Sequence, residues 1–224
     1  CPATRSARRC DLLVEFGAFA EARTCIEAAR GPEGQDFGDG ARMQLAMDTG
    51  DFEEALRVSS RLRRPDPWAR VQALLALGRA REALAMLQKL DPGMFLQPEP
   101  KLTSGYAGDA ILASAALIGA GANEQGRDLA RRALAANASR PIIRLDTGRG
   151  WADVAAWALL GDSAKACAAA REAVAAGLIV GLARFDAHPM YAELRKQSCL
   201  AEALAPARAK AAAQVSAARA AGLL

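Results

Sequence analysis

Residues 50–62 read GDFEEALRVSSRL, and the fold depends on which of these residues carry the meaning. Taken alone, Asp51, Glu53 and Glu54 around one phenylalanine look like an acidic site. Two other stretches change that reading. Residues 17–29 are GAFAEARTCIEAA and residues 78–90 are GRAREALAMLQKL. Aligned on the glycine, all three run Gly, any residue, an apolar residue, any residue, Glu, Ala. A small or apolar residue then follows four and seven positions after the alanine. Asp51 and Glu53 stand where the other copies have Ala18 and Ala20, or Arg79 and Arg81, so no chemistry there is shared. Glu54 recurs as Glu21 and Glu82 because a helix opens there, and its N-terminal dipole favours negative charge.

Two weaker copies follow. GANEQGRDLARRA (121–133) has Gly126 in the alanine place, and GDSAKACAAAREA (161–173) has Lys165 for Glu and keeps Ala166. An apolar helical stretch precedes each copy: CDLLVEF, ARMQLAM, WARVQALLAL, DAILASAALIGA and WADVAAWALL. The unit is therefore helix, glycine turn, helix. Glycine allows the backbone to leave the first helix. The small residue lets the second helix approach the first, and positions four and seven further on share its face. One such hairpin cannot bury its face alone, whereas stacked neighbours can.

Composition agrees. Hydrophobic residues make up 52% of the 224-residue chain but aromatics only 5%, and alanine and leucine, both good helix formers, dominate. PIIRL (141–145) is the nearest approach to a β-branched run. The expectation is an all-α protein. The net charge of +4, from 29 basic and 25 acidic residues, gives no case for direct nucleic-acid binding. The small arginine groups at Arg61, Arg63 and Arg64 and at Arg131 and Arg132 read as solvated helix faces. AILASAALIGAGA (110–122) falls short of the ~20 apolar residues that cross a bilayer.

Five cysteines show no Cys-x-x-Cys and no metal-ligand spacing. Two readings stay open. Cys10 and Cys25, within one hairpin, and Cys167 and Cys199, in later helices, form disulfides in an oxidising compartment; or all are small buried residues of a reduced protein. The chain opens at Cys1 with no Met, which reads as a fragment or a processed form, and Cys1 also fits a lipid-attachment point. Periplasmic or envelope-associated placement is the first expectation, cytoplasmic the alternative.

The repeat resembles the tetratricopeptide family. Gly17, Phe19, Ala22, Ile26 and Ala29 match that family's turn and second-helix positions. So do Gly50, Phe52, Ala55 and Leu62, and Gly78, Ala80, Ala83, Leu87 and Leu90. Pro92 matches the proline that closes a repeat. The glycine spacings of 33, 28, 43 and 40 depart from the family period of about 34, so the array is irregular. The resemblance implies an α-solenoid of about five hairpins over residues 1–178, with turn glycines at 17, 50, 78, 121 and 161, and a helical cap over 179–224. FDAHPMYAELRKQSCLAEAL (185–204) resembles the closing segment after repeat arrays in bacterial signalling regulators. The last helix is expected to close the exposed end of the last repeat, with Pro206 starting or kinking it.

In the family, the first helix of each repeat lines a groove. Carried over position by position, this gives Asp11, Glu15, Gln44, Asp48, Trp68 and Gln72, with Trp151 further on. The set is acidic and amide-bearing, so a peptide with basic or apolar side chains fits it. Trp151 and Trp157 together fit core packing better. Chemistry finds little support. His188 is the one histidine, and it reads as structural. GAGANEQG (119–126) lacks the Lys-Ser/Thr of a phosphate loop, and TGRGWADVA (147–155) lacks the third glycine and the flanking strand of a dinucleotide turn. No catalytic residue, metal or cofactor is assigned. PGMFLQPEPKLTSGYAG (92–108) breaks the array, and NASRPIIRLDTGRG (137–150) is a second connector. The expected function is a non-catalytic module that binds a protein or peptide partner through the groove, within a larger bacterial signalling, regulatory or envelope-assembly protein. The alternative is a ligand-sensing domain whose 92–108 loop shapes a small-molecule or peptide pocket. The oligomeric state is left open.

Overall fold

The computed structural model describes residues 2–29, 38–62, 66–96, 102, 107–138 and 150–222, with the side chains of 2–7 and 107 outside the description. The chain is all-α: the described residues form thirteen helices and two short 3-10 turns, with no strand. The first ten helices come in five helix–glycine–helix pairs. They are α1 (Pro2–Glu15) with α2 (Phe19–Ala28), α3 (Asp39–Thr49) with α4 (Phe52–Ser59), and α5 (Pro67–Ala76) with α6 (Ala80–Leu90). Then come α7 (Ala107–Gly119) with α8 (Asn123–Asn137), and α9 (Trp151–Leu159) with α10 (Ser163–Ala175). After them lie α11 (Ala183–Ala187), α12 (Ala192–Arg195) and α13 (Ser198–Ala220).

The turns share one geometry. Gly17, Gly50, Gly78, Gly121 and Gly161 all have positive φ, between 73° and 97°. The residue after each glycine donates its N–H to the carbonyl five residues back: Ala18 to Leu13, Asp51 to Ala46, Arg79 to Leu74, Ala122 to Leu117 and Asp162 to Trp157, at 2.8–3.0 Å. That bond occupies a carbonyl which the end of the first helix would otherwise leave unpaired. A side chain at Gly50, where φ is 83°, would meet the penalty of the left-handed region.

The small position also holds. Ala22, Ala55, Ala83, Gly126 and Ala166 are all buried. Gly126 shows why one copy went below alanine. A Cβ there would lie 2.6 Å from Ile118 Cγ1 and 2.8 Å from the Ser114 carbonyl. The Ser114 hydroxyl uses the closeness, donating to the Gly126 carbonyl at 2.7 Å in a buried setting. The frame fails at one place: Leu90, expected to pack back on its hairpin, is 43% exposed. It is the last residue of α6, and the chain turns away at Asp91 into the 3-10 turn Pro92–Phe95.

Two compact units contain these elements. The first holds residues 1–73, 179–188 and 206–224; the second holds 74–178 and 189–205. In the first, α1 packs on α2, α3 on α4, and both α1 and α2 on α3. Cys10, Leu13, Val14, Ala22, Ile26 and Leu45 belong to one buried cluster there. In the second, α7 packs on α8, α9 on α10, α6 on α7, and both α7 and α8 on α9. Ala113, Ala116, Ala130, Ala133, Ala156 and Ala170 are fully buried there, so much of this core is alanine.

Disulfides join Cys10 to Cys25 and Cys167 to Cys199, with Cα atoms 5.5 and 5.8 Å apart. The first ties α1 to α2, and the second ties α10 to the start of α13. Other contacts of α13 lie further along the helix. Its beginning is bonded to the last hairpin through Cys199, but within the first unit Val215 packs against the Cys10 cluster and Arg219 Nε donates to Glu21 Oε1 of α2 at 2.6 Å. The helix runs through Pro206 and does not start there.

Residues 97–101 and 103–106 of the 92–108 stretch, and 139–149 of the second connector with PIIRL, lie outside the described residues, as do Cys1, Arg63 and Arg64. Asn137, the first residue of the second connector, is buried and donates to Asp153 Oδ1 at 2.9 Å, tying α8 to α9.

Candidate functional site

The residues expected to line a groove occupy related places. Asp11, Gln44 and Gln72 each stand six residues before a turn glycine; Glu15 and Asp48 stand two before. A separation of four puts both positions on one helical face. Within the first unit, two of the six bond one cation and a third braces one of those two.

That cation is Arg184, on the short helix α11, which packs against α3. Its Nε donates to Asp48 Oδ1 at 3.2 Å, and its Nη1 donates to Gln72 Oε1 at 3.2 Å. Gln44 Nε2 donates to both oxygens of Asp48 at 3.2 Å. Asp48 is only 4% exposed. A carboxylate taken out of water must be paired and hydrogen-bonded, and here a guanidinium and an amide contribute to that need. Gln72 presents its carbonyl oxygen to the cation, so Asp48 of α3 and Gln72 of α5 hold the arginine while Gln44 braces Asp48.

The remaining positions are not gathered there. Asp11 and Glu15 are exposed on α1. Burial of part of its surroundings pushes the Asp11 carboxyl above its ordinary range, since charge is disfavoured where water is thinned. Trp68 is half-buried on α5. Trp151 is buried, and Trp157 is half-buried with Lys165 Nζ 4.5 Å from its ring centre.

His188 is buried, and its ring meets Phe52 edge-on with centroids 5.7 Å apart. It closes the segment that carries Arg184 and seats it on the start of α4. Among the described residues, no group of three or more His, Cys, Asp or Glu is arranged to hold a metal. Among those residues no helix is long and apolar enough to cross a membrane.

Sequence reasoning missed Arg184 and the work of Asp51. Arg184 lies 136 residues from Asp48, and nothing local connects them. Asp51 had a readable signal, an aspartate immediately before a helix: its Oδ1 accepts from the Glu54 N–H at 3.2 Å and caps α4. Asp162 caps α10 in the same way, accepting from the Lys165 N–H at 3.0 Å.

The recurrent glutamate has a basic partner in each strong copy. Glu21 takes Arg219 and Glu54 takes Arg57. Glu82 takes Arg79 through two bonds of 2.7 Å. Neither family models, curated proteins nor solved structures match this chain.

Proposed function

We propose that this chain is a non-catalytic interaction module: an α-solenoid of tetratricopeptide-like hairpins that holds a protein or peptide along the first-helix faces. The observation that carries the reading is the seat formed by Gln44, Asp48 and Gln72, whose positions are able to hold a guanidinium. Asp11 and Glu15 stand at the corresponding places of the first repeat and offer two exposed carboxylates. The partner is therefore a protein or peptide with basic side chains beside apolar ones. The module belongs to a larger signalling, regulatory or envelope-assembly protein. Its two disulfides suit an oxidising compartment such as a bacterial periplasm.

Site-specific photo-cross-linking tests the reading. A photoreactive amino acid at Trp68 or Asp11 is expected to capture one discrete protein partner. The same group at Arg131, an exposed second-helix position on α8, is expected to capture none. Equal capture at all three positions, or capture at Arg131 alone, contradicts the assignment of the binding face.

A further inference from the structure

Segment 179–188 reads IVGLARFDAH, and it belongs to the first unit although the residues on both sides of it belong to the second. Gly177 before it and Gly181 within it both have positive φ, 91° and 70°, so its entry is built from glycine. Its helix has five residues. It packs against α3 and is held there by several side chains. Arg184 sits in the Asp48–Gln72 seat, Phe185 is buried, and His188 lies against Phe52. Asp186 takes an exposed ion pair from Arg208 at 2.6 Å. The Arg184 side chain is 22% exposed, whereas the Asp48 side chain beneath it is 1% exposed.

A segment of this kind uses the face on which the proposed function depends. We infer that residues 179–188 are an internal occupant of the binding face on α3 and α5, and that a partner peptide bearing an arginine followed by an aromatic residue competes with them for the Asp48 seat. The inference rests on the interaction reading and sharpens it by naming the partner's chemistry and a regulatory contact. Tethering makes the occupant a strong competitor, because an internal segment acts at high effective concentration. An external peptide gains only where the segment has let go, so its apparent affinity falls with the released fraction.

The test uses the full chain and a fluorescein-labelled peptide of residues 179–188. The double variant Arg184→Ala/Phe185→Ala weakens the internal occupant and keeps Gln44, Asp48 and Gln72. Fluorescence anisotropy is expected to show the peptide binding this variant at least about tenfold more tightly than the wild type. Replacing the peptide's arginine by alanine, or adding Asp48→Asn to the variant, is expected to remove that gain. A folded variant that binds both peptides equally, or neither, overturns the inference.

Should the variant fail to fold, hydrogen exchange on the wild type decides. The amides of 182–188 are expected to exchange before those of α3. Exchange of both together only on global unfolding overturns the inference. A released variant that captures a protein at Trp68 but ignores this peptide overturns the competition and leaves the interaction reading standing.

Discussion

At the scale of the residue, the five copies differ most at their helix starts. Asp51 and Asp162 cap with a carboxylate, whereas Ala18, Arg79 and Ala122 make no side-chain cap bond. Asp51→Ala is expected to lower stability by about 1 kcal/mol in chemical denaturation, and Ala122→Asp to raise it by about 0.5–1 kcal/mol. The Lys165 N–H and side chain hold the Asp162 carboxyl below its ordinary range; Arg219 does the same for Glu21. Each folded-state value is depressed, so each group's contribution is present above the ordinary carboxylate range and is lost as pH falls through the folded value. Asp162→Asn keeps a cap and is expected to flatten the acid limb of a stability–pH profile. Asp11 has the opposite sign. Its raised value means that protonation relieves a cost, so Asp11→Asn is expected to stabilise near neutral pH and to make no gain in acid.

At the scale of the element, glycine and alanine carry the hairpin. Gly126→Ala tests this most sharply, because two rules oppose each other there. Helix propensity favours alanine by about 1 kcal/mol. The Cβ, however, would meet the Ile118 side chain at 2.6 Å and the Ser114 carbonyl at 2.8 Å. A backbone carbonyl yields little, and overpacking of this kind costs about 1–3 kcal/mol, so the substitution is expected to destabilise on balance. An unchanged melting curve would mean that α7 and α8 are not so close. The hairpins themselves were legible in the sequence, because a positive-φ turn and a close helix approach leave few residue types available. The glycine register and the small fifth position both survive in the structure. Leu90 was misread because a repeat frame says nothing about where a helix stops. The cysteine pairs stayed open for a similar reason: spacing alone does not bring Cys167 of α10 to Cys199 of α13. Arg184 was invisible because its partners, Asp48 and Gln72, lie in helices more than a hundred residues earlier.

At the scale of the whole molecule, two disulfides supplement cores in which alanine is frequent. Alanine buries little area per residue, so each helix contact yields less than a leucine contact would. Covalent closure of loops with sequence separations of 15 and 32 residues offsets this. Replacing Cys10 and Cys25 by serine is expected to cost roughly 2–4 kcal/mol, read as a lower melting temperature. Peptide mapping under denaturing, non-reducing conditions should find Cys10 linked to Cys25 and Cys167 to Cys199; free thiols at these positions would contradict the structure and the oxidising compartment together. The interaction reading makes its own demand: partner affinity must depend on the first-helix carboxylates. The most direct measurement is the affinity of the cross-linked partner for the purified chain carrying Asp11→Lys and Glu15→Lys. The account predicts a loss of at least about tenfold, growing smaller as salt screens the charges, with helicity unchanged. An affinity equal to that of the wild type would contradict it.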